Sequence, residues 1–183
     1  MTNDYFGELT NAMTWVSEQN KTMFIGQSVS YEGHALYKSL MNVPQAKRLE
    51  TPVFEDFQMG LCIGLALEGW LPISIFPRSD FLILASNQLA NHLSNVRLIS
   101  DNKRKVRVLI RVSVGSTSPM HPGLQHCQDY TEAIKIMCKN EIDVVELKDK
   151  HDILPAYQKA VLREDVRSTI LVEYMDLYHT QGE

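Results

Sequence analysis

Short apolar runs alternate along this chain with stretches of helical periodicity, and this alternation constrains the fold more than any other feature. Apolar and β-branched runs predict strands at 22–29, 71–76, 106–112, 142–147 and 168–174. Apolar residues at helical spacing predict helices near the N-terminus, at 55–69, at 80–96, after Asp129 and around 153–161. Strands and helices that alternate in this way form a mainly parallel sheet covered on both faces. The predicted fold class is therefore α/β, a three-layer α/β/α arrangement.

One domain is expected to account for residues 1–183, with a polar tail at 179–183. A chain of this length can bury a sizeable core by itself. The sequence contains no internal repeat, low-complexity tract or linker that would divide it. The segment 31–52 shows no clear period and is predicted to be irregular, with a short helix at 35–40.

Composition and charge argue against several classes of partner. The net charge of −4 and a pI of about 5.9 disfavour nucleic acid. No stretch approaches the ~20 apolar residues of a membrane span. The N-terminus, MTNDYFGEL, lacks the basic and apolar regions of a signal peptide, and the three cysteines form no paired motif. We expect a cytoplasmic protein without nucleic-acid or membrane partners.

Residues 51–93 carry the pattern most suggestive of a binding site. Glu55 stands at the start of an apolar predicted helix, and Phe81 stands at the start of the next one. A carboxylate and an aromatic ring delivered by successive βα turns can hold a flat heterocycle, one bonding a ring nitrogen and the other stacking on its face. Gly60 and Gly64 are poor choices for an isolated helix and indicate that something packs close to it.

Residue type alone also allows purely structural roles for each candidate. The Glu55 carboxylate can satisfy free amides at a helix start. Phe81 and Phe57 are both compatible with a place in the core, and Phe57 is the more typical core residue. His126 lies in a long loop at 113–128, where a histidine can simply hold the backbone in place.

A metal centre or a cysteine nucleophile is poorly supported. His121, His126 and Cys127 are close in sequence, but further paired ligands of the kind found in zinc sites are missing. Sequence neighbours such as His126 and Cys127 rarely have the mutual geometry that thiol activation needs. Cys62, on an apolar helix, is typical of a small core residue. We therefore predict no metal ligand in this chain.

Three blocks together resemble a known family, the pyrimidine-binding domain of thiamine diphosphate enzymes. The chain looks most like the beta subunit of the 2-oxoacid dehydrogenase decarboxylase component and is also similar to transketolases. The first block contains residues that match the family in order and spacing: Pro52, Glu55, Gly60, Gly64, Gly69, Pro72, Phe81, Gln88 and Asn91. The second block, similar to R-x-x-x-G…Q-H-S-Q, contains Arg111, Gly115, Gln125, His126 and Gln128. The third, ILVEYMDLY at 170–178, resembles the strand that closes the domain.

The resemblance implies a thiamine diphosphate-binding fold and a role for each candidate residue. Glu55 would bond the aminopyrimidine ring and favour the tautomer that removes the thiazolium proton. Phe81 would stack on the pyrimidine, with Phe57 and Gln88 as further cofactor contacts, and His126 would assist proton transfer near the substrate. Cys127 replaces the family's serine, which leaves the cofactor-facing positions intact and the substrate open.

The resemblance also implies a partner subunit. Related enzymes hold the cofactor diphosphate and Mg²⁺ with a Gly-Asp-Gly motif, which this sequence does not contain. We therefore expect a diphosphate-binding partner with that motif, joined to this chain in a heterotetramer. The expected function is a two-chain, thiamine diphosphate-dependent enzyme that decarboxylates a 2-oxoacid or transfers an acyl or two-carbon unit. A split transketolase subunit, a non-catalytic assembly or regulatory relative, and a flavodoxin-like module that binds another small ligand remain alternatives.

Overall fold

Six parallel strands form the middle layer of the protein, in a computed structural model that describes residues 4–118, 121–138 and 141–179. They are β1 (Thr22–Gly26), β2 (Arg48–Glu50), β3 (Leu71–Phe76), β4 (Leu109–Val114), β5 (Asp143–Leu147) and β6 (Thr169–Tyr174). Their order across the sheet is β2-β1-β3-β4-β6-β5, and every neighbouring pair is parallel. The predicted α/β class and parallel sheet are confirmed.

Helices cover both faces of the sheet. The α-helices are α1 (Tyr5–Glu18), α2 (Glu55–Leu67), α3 (Ser79–Leu82), α4 (Val96–Ile99), α5 (Thr131–Cys138) and α6 (Lys150–Leu162). Short 3₁₀ segments lie at Ala35–Leu40, Gln45–Lys47, Ile83–Ala85, Leu124–His126 and Met175–His179, and a π-helical segment lies at Gln88–Leu93. Helices α1 and α6 pack on one face, and α2, α5 and the helical segments between β3 and β4 pack on the other.

Strand geometry divides the core between these two faces. Successive side chains of a strand point to opposite sides of the sheet. In β6, Leu171 joins the core under α1 and α6, whereas Ile170 and Val172 join the core under α2 and α5. Because both faces are buried, the central strands are almost continuously apolar, which is why the sequence predicts them well.

The segment 31–52, predicted to be irregular, contains one additional strand. Its last residues form β2, which pairs with β1 through Phe24 and Arg48 and through Gly26 and Glu50. The sequence signal is weak because an edge strand of three residues, two of them charged, has no hydrophobic pattern. The short helix predicted at 35–40 is confirmed as a 3₁₀ segment.

The predicted strand at 22–29 ends early, at Gly26. The Glu50 carboxylate accepts hydrogen bonds from the backbone N–H groups of Ser28 at 2.6 Å, Val29 at 2.9 Å and Ser30 at 2.8 Å. These bonds draw the chain out of the sheet directly after β1. The predicted strand at 106–112 likewise begins later than expected, at Leu109.

The helix predicted at 80–96 is not a regular α-helix. A 3₁₀ turn and a π-helical segment interrupt it between α3 and α4. The backbone N–H and the hydroxyl of Ser94 both donate to the Leu89 carbonyl, at 3.0 and 2.7 Å, and the Asn95 side chain donates to the Ala90 carbonyl at 2.8 Å. These bonds span five residues and stabilise the wider turn.

A fully buried ion pair joins β4 to β6. Arg111 donates to both oxygens of Glu173, at 3.0 and 3.1 Å, and also to the Ser39 hydroxyl at 2.8 Å. Burial opposes the charge on Arg111, but the Glu173 carboxylate outweighs this effect and raises the Arg111 pKa above its ordinary value. Removal of one partner from such a pair typically costs about 3–5 kcal/mol, because the other charge remains buried.

Two expectations concern the polar tail and the membrane. Of the polar tail predicted at 179–183, residues 180–183 lie outside the described residues, and His179 ends the last 3₁₀ segment. Within the described ranges, no helix is both long and apolar enough to cross a membrane.

Candidate functional site

The candidate site lies at the carboxyl edge of the sheet, where the strand order reverses. From β1 the chain adds β2 on one side and then β3 on the other, so the switch point lies between β1 and β3. In open α/β sheets, ligands bind in the crevice at such a point. The segments that follow β2, β3 and β4 carry Glu55, Phe81 and His126 respectively.

Glu55 begins α2 and is buried, with 5% of its surface exposed. Its Oε1 accepts a hydrogen bond of 3.3 Å from the side chain of Gln27, the residue directly after β1. This bond turns the carboxylate toward the switch point. The first turn of a helix also favours a negative charge. The carboxylate therefore lies where a ligand in the crevice can donate to it.

Gln58, which the sequence analysis did not single out, fixes the position of α2 on the sheet. It is fully buried, and its side-chain amide donates to the Ile75 carbonyl at 3.0 Å and to the Ser74 hydroxyl at 3.1 Å. A side chain at Gly26 would overlap the Ile75 carbonyl, so glycine permits the close approach of β1 and β3 here. A polar residue one helical turn after Glu55, on the buried face, is the only sequence signal for Gln58.

The structure brings Phe81 and His126 together, although 45 positions separate them in the sequence. Their ring centroids lie 5.7 Å apart with an interplanar angle of 69°, an edge-to-face arrangement. His126 Nδ1 is buried and has no hydrogen-bond partner in the part of the chain that the structure describes. A ligand that contacts the Phe81 ring would therefore lie close to an unpaired imidazole nitrogen.

Residues 78–81, which we call the β3 turn, hold residues 124–128, the histidine segment. The Arg78 guanidinium donates to the His126 carbonyl, and the Ser79 hydroxyl donates to the Gln128 carbonyl. The Gln128 backbone N–H donates in turn to Asp80 Oδ1 at 3.4 Å. These bonds position the His126 ring against Phe81.

Gly115, at the end of β4, allows this close packing. A side chain there would overlap both the His126 carbonyl and the Arg78 guanidinium. The sequence analysis identifies Gly115 only as part of a motif, and the structure supplies the steric reason for it.

Phe57 and Gln88, the further predicted cofactor contacts, both lie at the surface of α2. The expectation that Phe57 belongs to the core is wrong, since 47% of its surface is exposed and its ring stacks on Phe54 at 6.3 Å. Phe57 points outward because it lies two residues after Glu55, on the other side of the helix. Gln88 donates to Asp56 Oδ2 at 3.1 Å and packs against Gly60, on the flank of α2.

Close packing against α2 was predicted at both Gly60 and Gly64, and the described residues show it only at Gly60. Gly60 accommodates Gln88, whereas no described atom lies within 4 Å of a side chain built at Gly64. A surface cavity of about 480 Å³ lies nearby, between α2 and α4. It is lined by Ile63, Leu67, Glu68, His92, Val96 and Ile99, and it contains none of the candidate residues.

The histidines and cysteines do not assemble a metal site in the described ranges. No group of three His, Cys, Asp or Glu side chains there is arranged to hold a metal ion. The sulfur of Cys127 lies 3.8 Å from His121 Nε2 and 3.4 Å from the Gly123 carbonyl, whereas Cys62 is buried. Burial raises the pKa of the Cys62 thiol to about 12, which makes it unreactive.

His34, which the sequence analysis also did not identify, approaches the site from the segment after β1. Its Nδ1 accepts a hydrogen bond of 3.4 Å from the Leu36 backbone N–H, and its Nε2 is buried without a partner among the described residues. Burial, and after it the positive charges of Arg78 and Arg111, lower the pKa of His34 to about 4. His34 is therefore neutral at physiological pH.

Comparison with known proteins identifies the relatives of this chain. No protein-family model matches it. It is 29% identical over 194 residues to the pyruvate dehydrogenase E1 component subunit beta of Gracilaria tenuistipitata var. liui, covering 97% of this chain and 54% of the relative. It is 27% identical over 135 residues to the 2-oxoisovalerate dehydrogenase subunit beta of Bacillus subtilis, covering 71% and 40%. The chain is thus similar in sequence to E1 beta subunits.

A solved structure supports the same relationship at the level of the fold. A split gene transketolase, described as an inactive beta4 tetramer, matches with a TM-score of 0.64 and 12% identity, over 94% of this chain and 51% of that one. The transketolase-like pyrimidine-domain fold and the resemblance found in the sequence are thus confirmed. The chain spans about half the length of the relatives it matches.

Proposed function

We propose that this chain is the pyrimidine-binding subunit of a two-chain, thiamine diphosphate-dependent enzyme that decarboxylates a 2-oxoacid or transfers an acyl or two-carbon unit. The observation that carries the proposal is the buried Glu55 carboxylate beside the switch point, in a fold shared with E1 beta subunits and a split transketolase. Phe81 and His126, which pack together on the other side of the switch point, support it.

The residues present fit the pyrimidine half of the cofactor. Among the described residues, the Glu55 carboxylate accepts one long amide hydrogen bond, at 3.3 Å from Gln27, and it can accept a stronger bond from a protonated ring nitrogen. Phe81 is only partly buried, so a face of its ring is available for stacking. When bound, the cofactor supplies the electron sink on which bonds to a carbonyl carbon break and form.

Each side chain then has a definite task. Glu55 holds and exchanges the proton on the pyrimidine ring nitrogen, and Phe81 orients the ring by stacking. His126 moves a proton at the substrate, and its unpaired Nδ1 is the atom available for that transfer. The β3 turn and the histidine segment keep the imidazole at a fixed distance from Phe81.

A partner subunit completes the site in this proposal. It carries the Gly-Asp-Gly motif, binds the diphosphate with Mg²⁺, and joins this chain in a cytoplasmic heterotetramer. An exposed apolar surface beside Glu55 supports subunit contact, because Val53, Phe54 and Phe57 are 79%, 58% and 47% exposed. Adjacent exposed aromatic residues are typical of interfaces. A contact there would close the crevice over the buried carboxylate.

Calorimetry with thiamine diphosphate and Mg²⁺ tests this division of the site. The purified chain alone should bind weakly or not at all, and a mixture with a Gly-Asp-Gly partner should bind with micromolar affinity or better. The double variant Phe54→Ser, Phe57→Ser should lose assembly and cofactor binding together. Ile136→Ser, which changes a more exposed apolar residue on α5, serves as the control. Micromolar binding by this chain alone would contradict the proposal.

A split transketolase subunit is the second candidate function, favoured by the structural match to a split gene transketolase. The two candidates differ in their donor. With a 2-oxoacid, the reconstituted complex should release carbon dioxide in a single turnover, whereas a transketolase should cleave a ketose phosphate without releasing it. The donor consumed in that experiment separates them.

A further inference from the structure

Arg78 forms no salt bridge with an acidic side chain in the part of the chain that the structure describes, although the charge of Asp80 acts on it electrostatically. It is partly buried, and within the described residues its one hydrogen bond goes to a neutral carbonyl, that of His126. Burial lowers the pKa of Arg78, which shows that the charge is partly withdrawn from water. A desolvated cation without an ion pair is costly and favours binding of an anion.

Other partly or fully buried arginines show two kinds of structural contact. Arg107 and Arg48, like Arg78, donate to backbone carbonyls, whereas two more pair with carboxylates. Arg111 forms a bidentate pair with Glu173, and Arg163 lies 2.5 Å from Asp165 and 2.7 Å from Asp143. Arg78 differs from Arg111 and Arg163, because it forms no salt bridge among the described residues. The charge of Asp80 acts on Arg78 electrostatically, while Asp80 Oδ1 accepts the Gln128 backbone N–H.

His34 provides a second donor beside Arg78. Because the neutral ring accepts a hydrogen bond at Nδ1, the hydrogen is on Nε2. That N–H is buried, and none of the residues described accepts a bond from it. The His126 Nδ1 and Asp80 Oδ2 atoms are buried and unpaired in the same ranges. Arg78 donates to the His126 carbonyl, and it interacts electrostatically with both His34 and Asp80.

We propose that Arg78 and His34 bind an anionic group of the substrate that stays intact during the reaction. The group is a carboxylate, phosphate or sulfonate, attached away from the reacting carbonyl. The role of this anion in the reaction rests on the proposed function. The anion site itself rests on the contacts of Arg78 and His34.

The reaction chemistry indicates why this anion is not the leaving carboxylate. During decarboxylation, the negative charge of that carboxylate moves into the cofactor. A cation bound to the carboxylate stabilises the reactant more than the transition state and slows the step. A cation bound to a remote, permanent anion stabilises both states and positions the carbonyl instead. The substrate class is therefore a dianionic 2-oxoacid, or an acceptor with its own permanent anion.

NMR titration of the isolated chain tests the anion site without any cofactor. Acetate, inorganic phosphate and methanesulfonate, added separately, should give saturable shifts of the His34 ring signals, and the tightest of the three identifies the anion chemistry. Arg78→Met should abolish the shifts, and Arg78→Lys should retain part of them because it keeps the charge. Arg97→Met is the matched control, since Arg97 pairs with Glu141 at 3.7 Å beside the amino ends of β4 and β6. Shifts that are absent, or unchanged in Arg78→Met, would overturn the inference.

Turnover by the reconstituted complex tests the substrate class. The ratio of kcat/KM for 2-oxoglutarate to that for 2-oxobutyrate should exceed one and fall about tenfold or more in Arg78→Met, as expected for loss of a charged hydrogen bond. A ratio that is unchanged by Arg78→Met, in a complex that still depends on Glu55, would refute the anion site alone. Failure of the proposed function would give a different result, because turnover would then not depend on Glu55. The NMR titration would still test the anion site independently of that outcome.

Discussion

At the scale of single residues, His34 is the clearest case of a side chain governed by its surroundings. Its ring is partly enclosed, and Arg78 and Arg111 both act on it electrostatically. Burial and these two charges disfavour the protonated ring and lower its pKa to about 4. The fold therefore includes a histidine that must stay neutral.

This requirement predicts a loss of stability in mild acid. Between pH about 6.5 and 4 the unfolded chain binds a proton at His34 that the folded chain does not, so the free energy of unfolding falls as the pH falls through this window. From pH 7 to pH 5, His34 should contribute a loss of roughly 1 to 2 kcal/mol. Urea denaturation at both pH values should show a smaller loss in His34→Asn than in the parent. His151→Asn, at an exposed position, should behave like the parent, and equal losses in parent and His34→Asn would refute this account.

Some residues of the site are predictable from local sequence and others are not. Glu55 and Phe81 occupy fixed positions in a motif, because Glu55 begins α2 and Phe81 lies in the first turn of α3, each after a strand. Gln58, Arg78 and His34 have no such signal. Their roles depend on segments far apart in the chain that meet at one edge of the sheet, and a linear pattern does not contain that information.

At the scale of elements, the contact between the β3 turn and the histidine segment decides the geometry of the site. Two side chains of the turn, Arg78 and Ser79, donate to backbone carbonyls of the segment, and Asp80 accepts one of its N–H groups. Gly115 lies beneath this contact and leaves no space for a side chain. The position of the His126 ring thus depends on a residue that never touches a ligand.

Two glycine-to-alanine variants should therefore have opposite effects. Gly115→Ala should displace the histidine segment and destabilise the chain by about 1–3 kcal/mol through overpacking. Gly64→Ala, with open space around it, should stabilise α2 by roughly 0.5–1 kcal/mol. Denaturant unfolding gives both free energies, and the ring signals of His126 should shift only in Gly115→Ala. A neutral Gly115→Ala with unchanged His126 signals would show that the contact does not position the histidine.

Elements with a strong hydrophobic pattern were predictable from the sequence, and elements without one were not. The buried central strands β3 and β6 lie within a residue of the predicted limits, because continuous apolar runs mark them. Strand β2 and the π-helical segment were missed. The former is short and polar, and the latter depends on hydrogen bonds from Ser94 and Asn95 to carbonyls five residues back.

At the scale of the whole molecule, the sheet order creates the switch point between β1 and β3. Periodicity predicts parallel strands, but the position of β3 beside β1 follows from pairing between distant segments. The switch point has a buried carboxylate on one side and the Phe81–His126 pair on the other. The exposed Val53, Phe54 and Phe57 lie beside Glu55 in the sequence, at the start of α2. In our proposal, this site binds the pyrimidine half of the cofactor, and the partner subunit binds the diphosphate half.

The most direct test of this proposal is the rate of deuterium exchange at the thiazolium carbon of thiamine diphosphate in the reconstituted complex. Glu55→Gln keeps the size of the side chain but cannot exchange a proton with the pyrimidine ring. Asp56→Asn makes the same chemical change at the next residue, whose carboxylate binds Gln88 instead. We predict exchange that is ~100-fold slower or more in Glu55→Gln, and near the parent rate in Asp56→Asn. Exchange in Glu55→Gln as fast as in the parent complex would contradict the assignment of Glu55 and, with it, the cofactor site.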